Sequence, residues 1–221
     1  MFEKFEKTAV VEFDLCAAGP VVISSGKNNE LDPRLPDMSF LSGNDGNTTA
    51  FVIPGSTIKG VIRGFVYNEA KLKRTAVNEE TLFGRAMGEA RKSKISFHDA
   101  YADMSTTVSN IRHSTALDPI LQSAKRGSLN NVQVVEKGTF KAGFKLINYS
   151  HDELEIIMRA LSAVNDGRLR FGGRTSRGYG MMRVENFHMT IYNGFDENLN
   201  RKIEKEYSGL DEYIQEVYGN V

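Results

Sequence analysis

With 221 residues, 40% of them hydrophobic, the chain can bury a sizeable core as one large domain or two small ones, and nothing in its composition suggests disorder. Its 28 basic and 28 acidic residues cancel, which at first sight argues against nucleic acid; yet seven acids against three bases in residues 195–221 leave the first 194 with a net charge of +4. A single cysteine, Cys16, excludes an intrachain disulfide and disfavours a thiolate zinc site, and no signal-like N-terminus or run of about 18 apolar residues is present, so the chain reads as cytoplasmic with no membrane partner.

Residues 8–15 alternate as a half-buried strand, and Val21-Val22-Ile23 predicts a continuing or paired strand. Residues 24–50 are rich in Gly, Asn, Asp, Pro and Ser and read as one long loop insertion, pinned by Leu31, Leu35, Met38 and Phe40. Loops of that length are functional or disordered, and the apolar anchors favour function. A helix begins around Pro54-Gly55-Ser56-Thr57, where Ile58, Val61, Ile62, Phe65 and Val66 form a helical stripe. A short turn ends at Gly84, and residues 94–101 alternate as a strand.

Residues 104–137 have weak periodicity until Val132 and predict a protruding thumb-like hairpin insertion. A strand follows at 139–147. Ser150 and Glu153 then form a capping box for a helix of about fifteen residues, which ends at Asn165-Asp166-Gly167. Another strand runs over 182–192, its alternation slipping near Asn186, and 195–221 is an acidic tail, helical from about Ser208. The order predicts an α+β chain with a ferredoxin-like, RNA-recognition-like βαββαβ core in a single domain, carrying the loop and the hairpin as insertions.

The stretch with the most distinctive chemistry is 168–180, which holds four arginines, four glycines, two hydroxyls and two aromatics in thirteen residues. Glycine permits close backbone approach and positive φ, and arginine matches phosphate oxygens and stacks on bases, so this loop suits a polyanion. Alternation places Arg168 and Arg170 on one strand face. Gly172, Gly173, Arg174, Ser176 and Arg177 belong to the turn, and Arg174 and Arg177 are the favoured phosphate contacts. Tyr179 either stacks on a base or fills the core. Lys59 and Arg63, four apart on the first helix, add charge or form a solvated face. The amides and hydroxyls of Ser56 and Thr57 make an anion site or a plain helix cap.

Phe51-Val-Ile-Pro-Gly-Ser-Thr-Ile-Lys-Gly-Val-Ile-Arg resembles the helix-entry motif of the RAMP superfamily of CRISPR-associated proteins. Leu82-Phe-Gly, Ile95-Ser-Phe-His-Asp-Ala-Tyr and Phe171-Gly-Gly-Arg-Thr-Ser-Arg-Gly-Tyr-Gly resemble further segments in the same order. The stretch from Arg112 through Asp118 and Gly127-Ser-Leu to Val135-Glu-Lys-Gly-Thr-Phe is similar to the thumb region of the backbone subunits. The resemblance covers nearly the whole chain and is nearest to the small backbone subunit of a type III (Csm/Cmr-type) effector complex. It implies a protein that polymerises head to tail on a CRISPR RNA, contacts target RNA and further effector subunits, and intrudes its thumb into the guide–target duplex. Arg112, Lys125 and Arg126 are then RNA contacts of the thumb.

The resemblance also implies metal-dependent cleavage of target RNA, by a magnesium or manganese ion held at an aspartate before the helix-entry motif. Asp37 aligns best with that position and Asp32 is its rival. The substrate's own 2′-hydroxyl would be the nucleophile, so one carboxylate holding the ion suffices. Two alternatives stay open: a guide-binding subunit without catalysis, and a stand-alone endoribonuclease acting on precursor CRISPR RNA, for which His113 would be essential.

Overall fold

Every second residue from Ala9 to Leu15 is apolar, and Ala9, Val11, Phe13 and Leu15 are all buried, so alternation alone commits the first strand to one covered face. The computed structural model describes residues 7–24, 26, 35–46, 48–85, 90–195 and 200–219. Its elements run β1 (Lys7–Ala17), β2 (Ser42–Asn44), β3 (Thr49–Ile53), α1 (Gly55–Lys71), α2 (Glu79–Phe83), β4 (Ile95–Phe97), β5 (Ala100–Ala102) and β6 (Val108–Ser114). They continue with β7 (Asn130–Lys137), β8 (Thr139–Ile147), α3 (His151–Asn165), β9 (Met182–Phe195), β10 (Arg201–Tyr207) and α4 (Leu210–Tyr218).

The main sheet has the order β10-β9-β1-β8-β5-β3-β2, with β4 also paired to β8. Its pairings are antiparallel, β1 lying between β8 and β9. The chain is thus α+β, and its order is compatible with a ferredoxin-like core. The apolar stripe of α1 (Ile58, Ile62, Phe65, Val66) joins that of α3 (Leu154, Ile157, Met158, Leu161, Val164) in one cluster with Phe140, Phe144 and Met189 of the sheet. Burying each such side chain is worth about 1.5–3 kcal/mol, which outweighs the modest helix propensity of the β-branched residues in α1. The Ser150–Glu153 capping box closes in both directions, at 3.2 and 2.9 Å. Glu69 of α1, almost fully buried, ties the helices together through Arg159 of α3 at 2.7 Å.

Three departures from the sequence expectations, and one irregularity that the sequence does announce, have physical causes. The predicted strand at 94–101 is broken into β4 and β5, because Asp99 turns aside to accept the first amide of α1, Gly55 N–H, at 2.8 Å. The slip near Asn186 is a bulge: the β1–β9 register shifts between Glu12 and Asp14, and Asn186 takes φ 48°. Within the 24–50 insertion, β2 pairs with β3 and Phe40 is buried, whereas Leu35 is exposed and Leu31 lies outside the described residues. In the acidic tail, β10 adds a strand to the sheet before α4 begins. Its sequence, Arg-Lys-Ile-Glu-Lys-Glu-Tyr, shows no apolar period because an edge strand tolerates charge on both faces and is protected by it. Among the described residues no helix is long and apolar enough to cross a membrane.

The 104–137 segment forms the expected hairpin, in which β6 and β7 make a separate two-stranded sheet. It is anchored to the body along β7. There Val21 and Val135 exchange backbone hydrogen bonds (2.9 and 3.0 Å), and Val132 and Val134 form a small buried cluster with Val22, backed by Met38 and Tyr179.

Candidate functional site

The arginine-glycine segment leaves α3 through Gly167 (φ 70°) and is fixed by its glycines. Gly172 pairs in parallel with Val22, and a Cβ there would lie 2.0 Å from the Val22 carbonyl oxygen, so only glycine fits. Gly173 N–H donates to that same oxygen at 2.9 Å, while its own Cβ direction is open. Arg174 adopts the left-handed conformation (φ 58°, ψ 28°) and starts a 3-10 turn over Thr175–Arg177. A non-glycine residue held in this region marks a position where the surroundings dictate the backbone.

Those surroundings are the end of the β6–β7 ladder next to the 115–129 connection. The Arg174 guanidinium donates to Ser114 Oγ of β6 at 3.2 Å and to Asn130 Oδ1 of β7 at 2.6 Å, bridging the glycine loop to the hairpin. Beside it lies an open cavity of about 550 Å³ lined by Ser114, Thr115, Ser128, Asn130, Ser176 and Arg177, among others. Arg174 also borders a second cavity of about 460 Å³, whose walls include Met38, Thr57, Gly172 and Gly173. The first turn of α1 and the glycine loop therefore face one groove, with Arg174 between its two halves.

The aspartate loop enters from the other side of the same strand. Met38 bridges Val132 in parallel, and Asn131 N–H donates to Asp37 Oδ2 at 2.6 Å. Asp37 is exposed, and the hydrogen bond it makes among the described residues is to the hairpin strand β7. The side-chain oxygen of Asn131 lies 2.7 Å from His113 Nδ1. Asp37, His113 and, through Asn130, Arg174 thus converge on two consecutive residues of β7. Asp32 lies outside the described residues. Asp45 serves the β2–β3 turn, accepting from Thr48 N–H at 2.8 Å.

The other predicted contacts separate into those near the groove and those occupied elsewhere. Ser176 and Arg177 face the larger cavity, and Arg177 has no side-chain partner among the described residues. Arg170 folds back onto the Thr175 carbonyl at 3.3 Å. Arg168 pairs with Asp166 at 2.8 Å and lines a cavity against α3, away from the groove. Arg112 makes a two-pronged pair with Glu136 (2.8 Å twice), which keeps its guanidinium firmly charged, and lies 5.6 Å from the centroid of Tyr179. Tyr179 is partly buried against Val22, Val132 and Val134, so it packs and stacks at once. Lys125 and Arg126 are exposed in the 115–129 connection of the hairpin.

On α1 the expected charge is drawn the other way. Arg63 pairs with Glu79 at 2.8 Å, and Lys59 reaches Ser93 Oγ at 3.4 Å, its pKa lowered by burial and by Arg63. Neither Ser56 nor Thr57 caps the helix; Pro54 is the N-cap, and Asp99 holds the Gly55 amide. Gly55 itself is required because a Cβ would lie 2.7 Å from the Phe97 carbonyl oxygen. A carboxylate thus fills part of the place expected for an anion.

Sequence reasoning missed Asn130, Asn131, Ser114 and Asp99. The first three sit in a stretch without apolar period, and only the β6–β7 register, which pairs Ser114 with Asn130 and His113 with Asn131, brings them under Arg174 and Asp37. Asp99 carries its signal in structure alone.

Chemically, the groove offers one partnered guanidinium and one with no side-chain partner among the described residues, several hydroxyl and amide groups, and open backbone at Gly173. Those groups suit a sugar-phosphate chain better than a compact neutral substrate. Among the described residues no cluster of three or more His, Cys, Asp and Glu side chains is arranged to hold a metal. Asp37, whose carboxylate already accepts from the Asn131 amide, can offer an ion a single carboxylate, the other ligands then being waters and phosphate oxygens. A family model described as the RAMP superfamily matches residues 18–183, a span that includes the aspartate loop, α1, the hairpin and the glycine loop. No curated protein matches the chain.

Proposed function

Because the chain belongs to the RAMP superfamily, which is associated with CRISPR-related RNA binding, we propose that it is a CRISPR RNA-binding backbone subunit of a type III effector ribonucleoprotein that also cleaves target RNA. The observation that carries this reading is the convergence on β7: the arginine-glycine loop is clamped to Asn130 and the Asp37 carboxylate to Asn131. Guide grip and candidate cutting group are adjacent. In this reading the ferredoxin-like sheet is the palm, the β6–β7 hairpin the thumb, and further copies and other effector subunits extend the assembly along the guide.

Arg174 and Arg177 hold the guide backbone, with Arg170, Ser176, Gly172 and Gly173 shaping the turn. These contacts are to phosphate and 2′-hydroxyl, so binding weakens with salt and ignores spacer sequence. Asp37 would hold a magnesium or manganese ion, which lowers the cost of charge developing on the scissile phosphate. The chain's own part is to fix that carboxylate against the hairpin through the Asn131 amide, so the strand is presented in one geometry.

Target cleavage by the assembled complex tests this reading. Asp37→Ala should abolish cutting while guide binding persists, and Asp45→Ala should leave both unchanged; undiminished cutting by Asp37→Ala and Asp32→Ala would remove the loop from the mechanism and leave a guide-binding subunit. A second reading, processing of precursor CRISPR RNA by the isolated subunit, is favoured by the position of His113 beside Asn131. It requires repeat-specific cleavage without metal that His113→Ala eliminates.

A further inference from the structure

Side chains along β7 alternate between the two faces of the hairpin. Asn130, Val132 and Val134 turn toward the glycine loop and the body, the first against Arg174 and the other two against Val22. Asn131 and Gln133 belong to the opposite face. There Gln133 Oε1 accepts the Phe40 N–H at 3.0 Å, and Asn131 Oδ1 lies 2.7 Å from His113 Nδ1. The backbone N–H of the same Asn131 donates to the Asp37 carboxylate at 2.6 Å. Met38 N–H donates to the Asn131 carbonyl oxygen at 3.2 Å and Gln133 N–H to that of Met38 at 2.9 Å, which laces the segment after Asp37 to the strand. Carboxylate and imidazole are therefore separated by no more than one residue and two hydrogen bonds.

An amide oxygen accepts and cannot donate, so the neutral His113 ring keeps its proton on Nδ1 and carries its lone pair on Nε2. The residue is exposed, and Nε2 has no hydrogen-bond partner among the described residues. An imidazole oriented through one nitrogen and open at the other is the arrangement of a general base. On the premise that target RNA is cut at the Asp37 loop, on which this assignment rests, we propose that His113 is the general base of that cleavage and Asn131 its positioning residue. Nε2 takes the proton of the attacking 2′-hydroxyl as the O2′–P bond forms. The P–O5′ bond breaks, and the 5′-oxygen takes a proton from water, which the imidazolium replaces. The products are a 2′,3′-cyclic phosphate and a 5′-hydroxyl. Asn131 thus serves both partners, fixing Asp37 through its backbone and His113 through its side chain.

Target cleavage by the assembled complex, timed with and without added imidazole, is the first measurement. His113→Ala should slow cutting about 10²–10⁴-fold at unchanged guide binding, and imidazole should restore part of the rate. Asp37→Ala should gain nothing from imidazole. Asn131→Ala keeps the backbone amide for Asp37 and removes only the acceptor for Nδ1, so it should slow cutting by a smaller factor, and Asn131→Asp, which retains an oxygen there, should recover it. Nuclear magnetic resonance of the full chain with labelled histidine reads the tautomer without RNA: the neutral ring should carry its proton on Nδ1 in the parent and lose that preference in Asn131→Ala. A parent ring protonated on Nε2, or a His113→Ala defect that imidazole leaves untouched, overturns the proposal. Undiminished cutting by His113→Ala where Asp37→Ala is inactive overturns the general base alone, whereas undiminished cutting by both overturns the cleavage reading beneath it.

Discussion

Arg177 and Arg168 lie nine residues apart in one basic segment, and the structure gives them opposite fates. Arg177 faces the groove with its guanidinium uncommitted, whereas Arg168 is paired with Asp166 at 2.8 Å on the far side. If the groove holds RNA, Arg177→Ala removes one charge-assisted hydrogen bond, worth about 1.5–3 kcal/mol. At 1.4 kcal/mol per tenfold, affinity falls roughly 10- to 140-fold. One fewer phosphate is neutralised, so the slope of log affinity against log salt drops by about 0.7 for a single strand. Arg168→Ala breaks an exposed pair worth about 0–1 kcal/mol and should change affinity less than about fivefold, with the slope intact. Arg174→Ala should exceed both, because it also unfastens the loop from Ser114 and Asn130. Fluorescence anisotropy with a single-stranded RNA at salt concentrations between about 50 and 200 mM reads both quantities. Equal slope changes for Arg168→Ala and Arg177→Ala would refute the assignment of the groove.

Three further outcomes follow from packing and burial. Gly172→Ala should displace the loop and lower both stability and RNA affinity, since its Cβ meets the Val22 carbonyl oxygen at 2.0 Å, while Gly173→Ala, with nothing within 4 Å, should fold as the parent does; melting curves and RNA titration of the pair check this. Arg159→Ala should cost about 2–3 kcal/mol in urea unfolding, because it leaves the buried Glu69 carboxylate with only the exposed Arg74 at 3.4 Å. The Cys16 thiol, its pKa raised first by burial and then by the neighbouring Glu185, should alkylate several-fold more slowly at pH 8 than a free model thiol and accelerate at higher pH, as timed by mass spectrometry.

The parts of the fold legible in the sequence are those where one residue's environment is set by its near neighbours. The α1 stripe, the Ser150–Glu153 box, the Gly84 stop after α2 and the slip at Asn186 are local, and each stands where the pattern puts it. The basic segment was legible as chemistry, and its favoured residues, Arg174 and Arg177, do face the groove. Partnership was not legible. Arg63, Arg112 and Arg168 look equivalent to Arg177 in composition, yet Glu79, Glu136 and Asp166 claim them, two of these through contacts that only the fold creates. Likewise Asp37 reads as a turn residue until the chain brings Asn131, 94 positions later, against it. β10 escaped for a different reason: a strand at the rim of a sheet need not alternate.

The anchoring of the hairpin along its β6–β7 ladder has a consequence for how its reach can vary. Ser114, Asn130 and Asn131 carry the fastenings to Arg174 and Asp37, and the residues from 115 to 129 carry none of them. The projecting blade can therefore be lengthened, shortened or exchanged on a fixed hilt. A one-residue insertion between 130 and 135, by contrast, would turn every β7 side chain to the opposite face and release the loop, the carboxylate and the apolar anchor together.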